Sequence, residues 1–266
     1  MDVLNIERHG ATAVLLLNRP GQRNALDPEL RDAMADAVAE VRDDPGVKAV
    51  VITGAGGHFC AGGDVKAMAP AREGQDKVFG GRERLQRLHR WFDGLVDLEK
   101  PVIAAVDGVA FGAGLSLALA ADFVLATPRA RFCSVFARLG FVPDAGAMYL
   151  LPRAIGLARA KDMVFSARVV EAPEALSMGL VQRIVEGDVL AEALAFAERF
   201  HEAPTSAIGI AKYVMNHAFE SERRQAYDQE ALAQALCLQS DFHREAVRRF
   251  VAKEPAIYTW PEPAKS

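Results

Sequence analysis

Little in this chain ties it to an oxidising compartment, a membrane or a nucleic acid. Its three cysteines among 266 residues, Cys60, Cys133 and Cys237, are odd in number, far apart and without a CxxC pair. That excludes a disulfide framework and a zinc site of the usual spacing. Charge of either sign is not in excess, with 31 basic against 35 acidic residues and a net charge of -4, so no global field recruits nucleic acid or an acidic bilayer. No uninterrupted apolar run reaches membrane-spanning length, and the opening MDVLNIERHG has no basic segment leading into an apolar one. A reducing cytoplasm is the expected setting. Apolar residues are what the chain does have: at 51% hydrophobic it can fill one large core, with or without an appendage.

The stretch KPVIAAVDGVAFGAGLSLALAADF, from Lys100 to Phe123, carries the clearest pattern. Val102 to Val106 is a β-branched run of strand length. Asp107-Gly108 turns the chain, and Gly112 and Gly114 lead into an uncharged run of helix formers from Leu115 to Ala121. Backbone N–H groups at such a helix start have no partner within the helix and carry partial positive charge. A phosphate could sit there, but no Lys-Ser/Thr follows Gly114 and Gly112-Ala113-Gly114 is not a GxGxxG fingerprint. An oxyanion that develops only during a reaction is the other candidate; glycines that merely allow tight packing are the third.

Taken in order, Val3 to Arg8 and Ala13 to Leu17 predict a hairpin around Gly10, and Pro20-Gly21 a turn. Asp27-Pro28-Glu29 starts a helix with a cap, a proline at its first position and an early acid. Its apolar face is Leu30, Met34, Ala37, Val38 and Val41. A buried strand, Lys48 to Thr53, empties into the small residues between Gly54 and Asp64, where the backbone itself is the expected functional surface. Met68 to Gly81 reads as a polar loop with some helix. Leu85, Leu88, Phe92 and Leu95 recur at helical spacing. Further strands are predicted over 123–126, 130–133 and 180–185, a short helix over 171–179, and four helical segments over 189–201, 204–219, 222–240 and 241–253. The alternation of strand and crossover implies mostly parallel α/β packing, followed by a helical appendage without strands.

Four blocks in this order carry a resemblance: Asn18-Arg19-Pro20 with Asn24-Ala25-Leu26, then FCAGGDVKAM from Phe59, AAVDGVAFGAG from Ala104, and LGFVPDAGAMYLLPRAIG from Leu139. Together they resemble the enoyl-CoA hydratase/isomerase, or crotonase, superfamily, from the first strand to about Gly179 and more loosely through the C-terminal helices. The resemblance implies an α/β fold, a spiral of ββα units with two near-perpendicular sheets over residues 1–200. A helical oligomerisation region over 201–266 would build a trimer or a dimer of trimers. It implies a coenzyme A thioester substrate, no separate cofactor or metal, and no nucleic-acid or membrane partner. The implied oxyanion donors are the N–H groups of Gly63 and Ala113. Ala113 replaces the usual glycine of the triplet, so a positive φ there would be strained.

The two glutamates that activate water in hydratases of the family fall at Ser116 and Phe136, neither of them acidic. Standard hydration is therefore disfavoured. One carboxylate remains, Asp144 in Val142-Pro143-Asp144-Ala145-Gly146; in several isomerases of the family an Asp here shuttles the proton, and in a dehalogenase branch it is the nucleophile. It could instead cap a helix beginning near Ala145. Burial among Phe136, Phe141 and Val142 would raise its pKa above the Asp reference of about 3.9. The implied reading is an enoyl-CoA isomerase; the alternatives are a hydratase using Ser116-bound water and a non-catalytic acyl-CoA binding module. For the coenzyme and acyl pocket the resemblance points to Arg23, Ala25, Ala61, Gly62, Lys66, Phe250 and Lys253. Asp64 is expected to order the first turn, His58 to be a surface residue, and Cys60 and Cys133 to be small core residues.

Overall fold

The computed structural model describes residues 2–64 and 77–260. A hairpin, β1 (Leu4–His9) and β2 (Thr12–Leu17), opens the chain, and helix α1 (Pro28–Asp43) follows. The Asp27 carboxylate accepts the Leu30 N–H at 2.9 Å as its cap. Then come β3 (Ala49–Gly54), α2 (Lys77–Val96), β4 (Val102–Val106), β5 (Val109–Phe111) and α3 (Ala113–Leu119). Strands β6 (Phe123–Ala126) and β7 (Arg131–Cys133), helices α4 (Ala147–Ile155) and α5 (Leu157–Ser166), β8 (Val170–Glu171), α6 (Ala172–Met178) and β9 (Arg183–Ile184) complete the body. Four helices end it: α7 (Val189–Glu198), α8 (Thr205–Asn216), α9 (Arg223–Leu238) and α10 (Asp241–Ala252).

The large sheet runs β1-β2-β3-β4-β6-β9, antiparallel only at the opening hairpin, and β5-β7-β8 form a second, three-stranded sheet. Side chains alternate across the large sheet, as strand geometry requires. Leu15, Val50, Ile52 and Val102 face α1 and α2, whereas Val14, Val51, Ile103 and Leu125 face α7. Both faces are buried, which is why these strands read as continuous apolar runs.

One expectation about the elements changes. The strand foreseen over 180–185 shrinks to Arg183–Ile184, its first two residues being drawn off: Leu180 and Val181 donate to the Ala175 carbonyl and close α6. Pro152 lies inside α4; the carbonyl it deprives of a partner belongs to Met148, an exposed residue. The 68–81 segment is described only from Lys77, where α2 begins. Among the described residues no helix is long and apolar enough to cross a membrane.

Helices α9 and α10 contain no buried residue in the single chain. Leu232, Leu236, Phe250 and Val251 lie open on them.

Candidate active site

Two turns at the carboxyl ends of β3 and β4 meet. Phe59 and Cys60 donate to the carbonyls of Asp107 and Val109 at 2.7 and 2.9 Å, and Phe111 donates back to Cys60 at 3.0 Å. Gly114 is needed at this crossing, because a Cβ there would stand 2.2 Å from the Cys60 carbonyl oxygen. Gly62 is equally constrained, with φ +96 and a Cβ position 2.6 Å from the Phe111 oxygen.

Gly63 sits opposite Leu26 in an isolated parallel bridge. Leu26 donates to the Gly62 carbonyl and Asp64 donates to the Leu26 carbonyl. In such a bridge the middle residue's own N–H points away from its partner, so the Gly63 amide is turned to the far side. The neighbouring Gly62 amide is satisfied by the Cys60 sulfur at 3.4 Å. Ala113 opens α3, where an N–H has no partner within the helix. The positive φ of this turn is taken by Gly112, at +53, and not by Ala113, so the alanine carries no strain.

Gly63, Ala113 and Asp144 line one cavity of about 360 Å³, together with Ala61, Gly62 and Phe136. Asp144 does not cap a helix: α4 begins at Ala147 with Gly146 as its cap and no side-chain cap bond. Ala145 and Gly146 both adopt positive φ, at 51 and 78, which displaces the helix start by two residues. The aspartate is half-buried. Its expected apolar shield is incomplete in one chain, since Phe136 is buried but Phe141 and Val142 are 49% and 76% exposed.

Ser116 is a correction. It is fully buried, is not among the residues lining the cavity, and donates its hydroxyl to the Asp144 carbonyl at 3.0 Å.

The expected ordering role of Asp64 has a geometry. Arg19 reaches Asp27 at 2.9 Å and Asp64 at 3.4 Å, all three side chains largely shielded, and also donates to the Ala25 carbonyl. Sequence reasoning missed Asn24. Fully buried in a left-handed conformation, it donates to the Ala55 and His58 carbonyls at 2.9 and 2.7 Å and accepts from the Arg19 amide at 2.8 Å. The signal was an asparagine, the residue that tolerates this conformation, just after Pro-Gly. Arg31, a cation on the cavity wall, was also missed.

Arg23 is exposed, and its carbonyl receives the Ala61 amide at 2.9 Å; Ala25 is buried beside it. Lys66 lies outside the described residues. Phe250 is 85% exposed and is not among the residues lining the cavity of this chain. Lys253 stands just past the end of α10 in a left-handed conformation, so it does not share a helical face with Phe250. Burial pushes the Cys60 thiol up to about 12, leaving an inert core group. His58 is half-buried; burial, then Arg23 and Arg129, hold its pKa below the usual range.

Residues 7–260 match the enoyl-CoA hydratase/isomerase family. The chain is 34% identical to the 1,2-epoxyphenylacetyl-CoA isomerase of Escherichia coli, covering 92% of this chain and 94% of that protein. It is also 34% identical to the crotonyl-CoA hydratase of Syntrophomonas wolfei, with 95% and 96% covered. A crystal structure of an enoyl-CoA hydratase/isomerase from Cupriavidus metallidurans superposes with a TM-score of 0.91 at 36% identity, covering 99% of each chain. Two crossed glycine turns, a cavity between them and a body of ββα layers ending in helices thus agree with a match over nearly the whole length: this chain belongs to the enoyl-CoA hydratase/isomerase, or crotonase, family.

Proposed function

We propose that the protein is an enoyl-CoA isomerase that moves a double bond by passing a proton through Asp144. The observation that carries this reading is the make-up of one cavity: Gly63 and Ala113 on its wall, with Asp144 the one carboxylate among its described lining residues. The two positions where hydratases of the family hold glutamates are the buried Ser116 and Phe136. Asp144 takes a proton from C2 of a 3-enoyl thioester, and the charge spreads onto the thioester oxygen. The Gly63 and Ala113 N–H groups stabilise that oxygen where water is excluded, each worth about 10²- to 10³-fold in rate. The dienolate then takes the proton back at C4. The proton that leaves is the one returned, so no redox partner or metal is required.

Names among the relatives span isomerase, hydratase and carnitinyl-CoA dehydratase, so kinship alone does not choose between reactions. Hydration through Ser116-bound water is disfavoured by a hydroxyl already directed to the Asp144 carbonyl. The purified protein is given 3-enoyl-CoA and 2-enoyl-CoA in separate assays that follow the conjugated thioester absorbance. Turnover of the first alone supports the isomerase, hydration of the second replaces it with a hydratase, and binding without turnover replaces it with a carrier module. Asp144→Asn is expected to lose isomerisation by at least about 10³-fold while staying folded and binding CoA.

Self-association, as a trimer or a dimer of trimers, is the proposed cover for the open apolar residues of α9 and α10, which also brings Phe250 and Lys253 toward a neighbouring subunit's coenzyme. A solution mass near the single-chain 28.7 kDa would overturn it.

A further inference from the structure

We infer that Ser116 is a positioning residue for the proton shuttle, its hydroxyl fixing the main chain of Asp144 relative to the oxyanion turn. The inference rests on the assignment of Asp144 as base. Serine within a helix ordinarily bonds back to the carbonyl four residues earlier. Here that carbonyl, on Gly112, is 3.4 Å from the hydroxyl and already accepts the Ser116 amide at 3.1 Å. The shorter contact, 3.0 Å, goes to the Asp144 carbonyl, 28 residues along the chain. A serine has one hydrogen to give, and the geometry gives it to Asp144.

The turn it reaches is one that must be held. Ala145, fully buried, has φ +51 and Gly146 has φ +78; a left-handed alanine costs about 1 kcal/mol or more. Such a conformation persists where surrounding bonds over-determine it, and the Asp144 carbonyl receives both the Ser116 hydroxyl and the Ala147 amide, the latter at 3.0 Å. The same helix carries Ala113 at its first residue and Ser116 at its fourth, on one face and about 4.5 Å apart along the axis. One rigid element therefore sets the spacing between an oxyanion donor and the segment bearing the base. Packing alone does not call for a hydroxyl there, since the neighbours Leu115, Leu117 and Ala118 are apolar and buried.

The test compares Ser116→Ala, Ser116→Thr and Ser116→Cys in the full-length protein, with Asp144→Asn beside them. Ser116→Ala is expected to lower kcat on 3-enoyl-CoA about tenfold with KM unchanged within about twofold, because substrate still binds but the carboxylate is misplaced. Ser116→Thr, which keeps the hydroxyl, is expected to recover at least about a third of the wild-type kcat. Should its extra methyl prevent folding, Ser116→Cys, a weak donor of similar size, is expected to fall between alanine and wild type. Wild-type kcat in Ser116→Ala, even with a lower unfolding temperature, overturns the inference and leaves a folding role only; so does equal kcat in the alanine variant and whichever donor variant folds. If Asp144→Asn is inactive while Ser116→Ala is unimpaired, only this inference fails. Full turnover in Asp144→Asn removes the base assignment, and the Ser116 role falls with it.

Discussion

The two glycine turns that frame the cavity differ in what chiefly holds them. The first, from Gly54 to Asp64, is tied from outside by side chains: Asn24 bonds the Ala55 and His58 carbonyls, and Arg19 draws in Asp64. The second, from Val106 to Gly114, is held by close approach of bare backbone. A Cβ on Gly108 would stand 2.4 Å from the Gly57 oxygen, and one on Gly114 would stand 2.2 Å from the Cys60 oxygen. The first turn should therefore fail when its side-chain ties are removed as well as when atoms are added at Gly62, and the second chiefly when atoms are added. A donor pair built across both inherits both weaknesses.

Gly114→Ala is the strongest attack on this contrast, because the atom it strikes is main chain and cannot rotate away. Loss of about 3 kcal/mol or more is expected, with activity falling in step, read by denaturant unfolding and by turnover. A well-folded, active Gly114→Ala would show that the second turn yields like the first. Asn24→Ala comes next. It orphans two carbonyls and one amide in a buried place and puts alanine at φ +58, so about 2 to 3 kcal/mol is expected. Asn24→Asp sharpens the point: it keeps the acceptor for the Arg19 amide but loses both donors, and should recover little of that stability. Asp64→Asn gives up one partner of Arg19 while the Asp27 contact stays, so unfolding should shift by about 1 kcal/mol or less and turnover by less than about fivefold. Smallest is His58→Gln. Its pKa is held below the usual 6.5 by burial and by Arg23 and Arg129, so no charge change is expected across pH 7 to 8, and it is not among the residues lining the cavity. Turnover within about twofold and an unchanged pH profile over that range are expected; a lost pH limb would make His58 part of the chemistry.

The sequence made the sheet legible because a strand buried on both faces has no polar positions to confuse its reading, as Val102 to Val106 shows. Glycines announced both turns for a related reason: Gly62, Gly108 and Gly112 occupy positive φ, a demand that surfaces as composition. The Ser116 contact was not legible. Its partner lies 28 residues away, and no local pattern distinguishes a serine that faces a cavity from one that faces a turn behind it. The start of α4 was misplaced for the same reason, since the left-handed Ala145 is imposed by surroundings and not by alanine's own preference. Asn24 falls between these cases: its conformation could be guessed, its three partners could not.

Each member of the large sheet lies beside the one made just before it among that sheet's strands, from β1 at one margin to β9 at the other. As the chain leaves the ribosome, amino end first, every arriving strand meets a finished edge and need not wait for a later one. Growth runs in one direction only. The strands that lead into both glycine turns are thus made before the segment bearing Asp144.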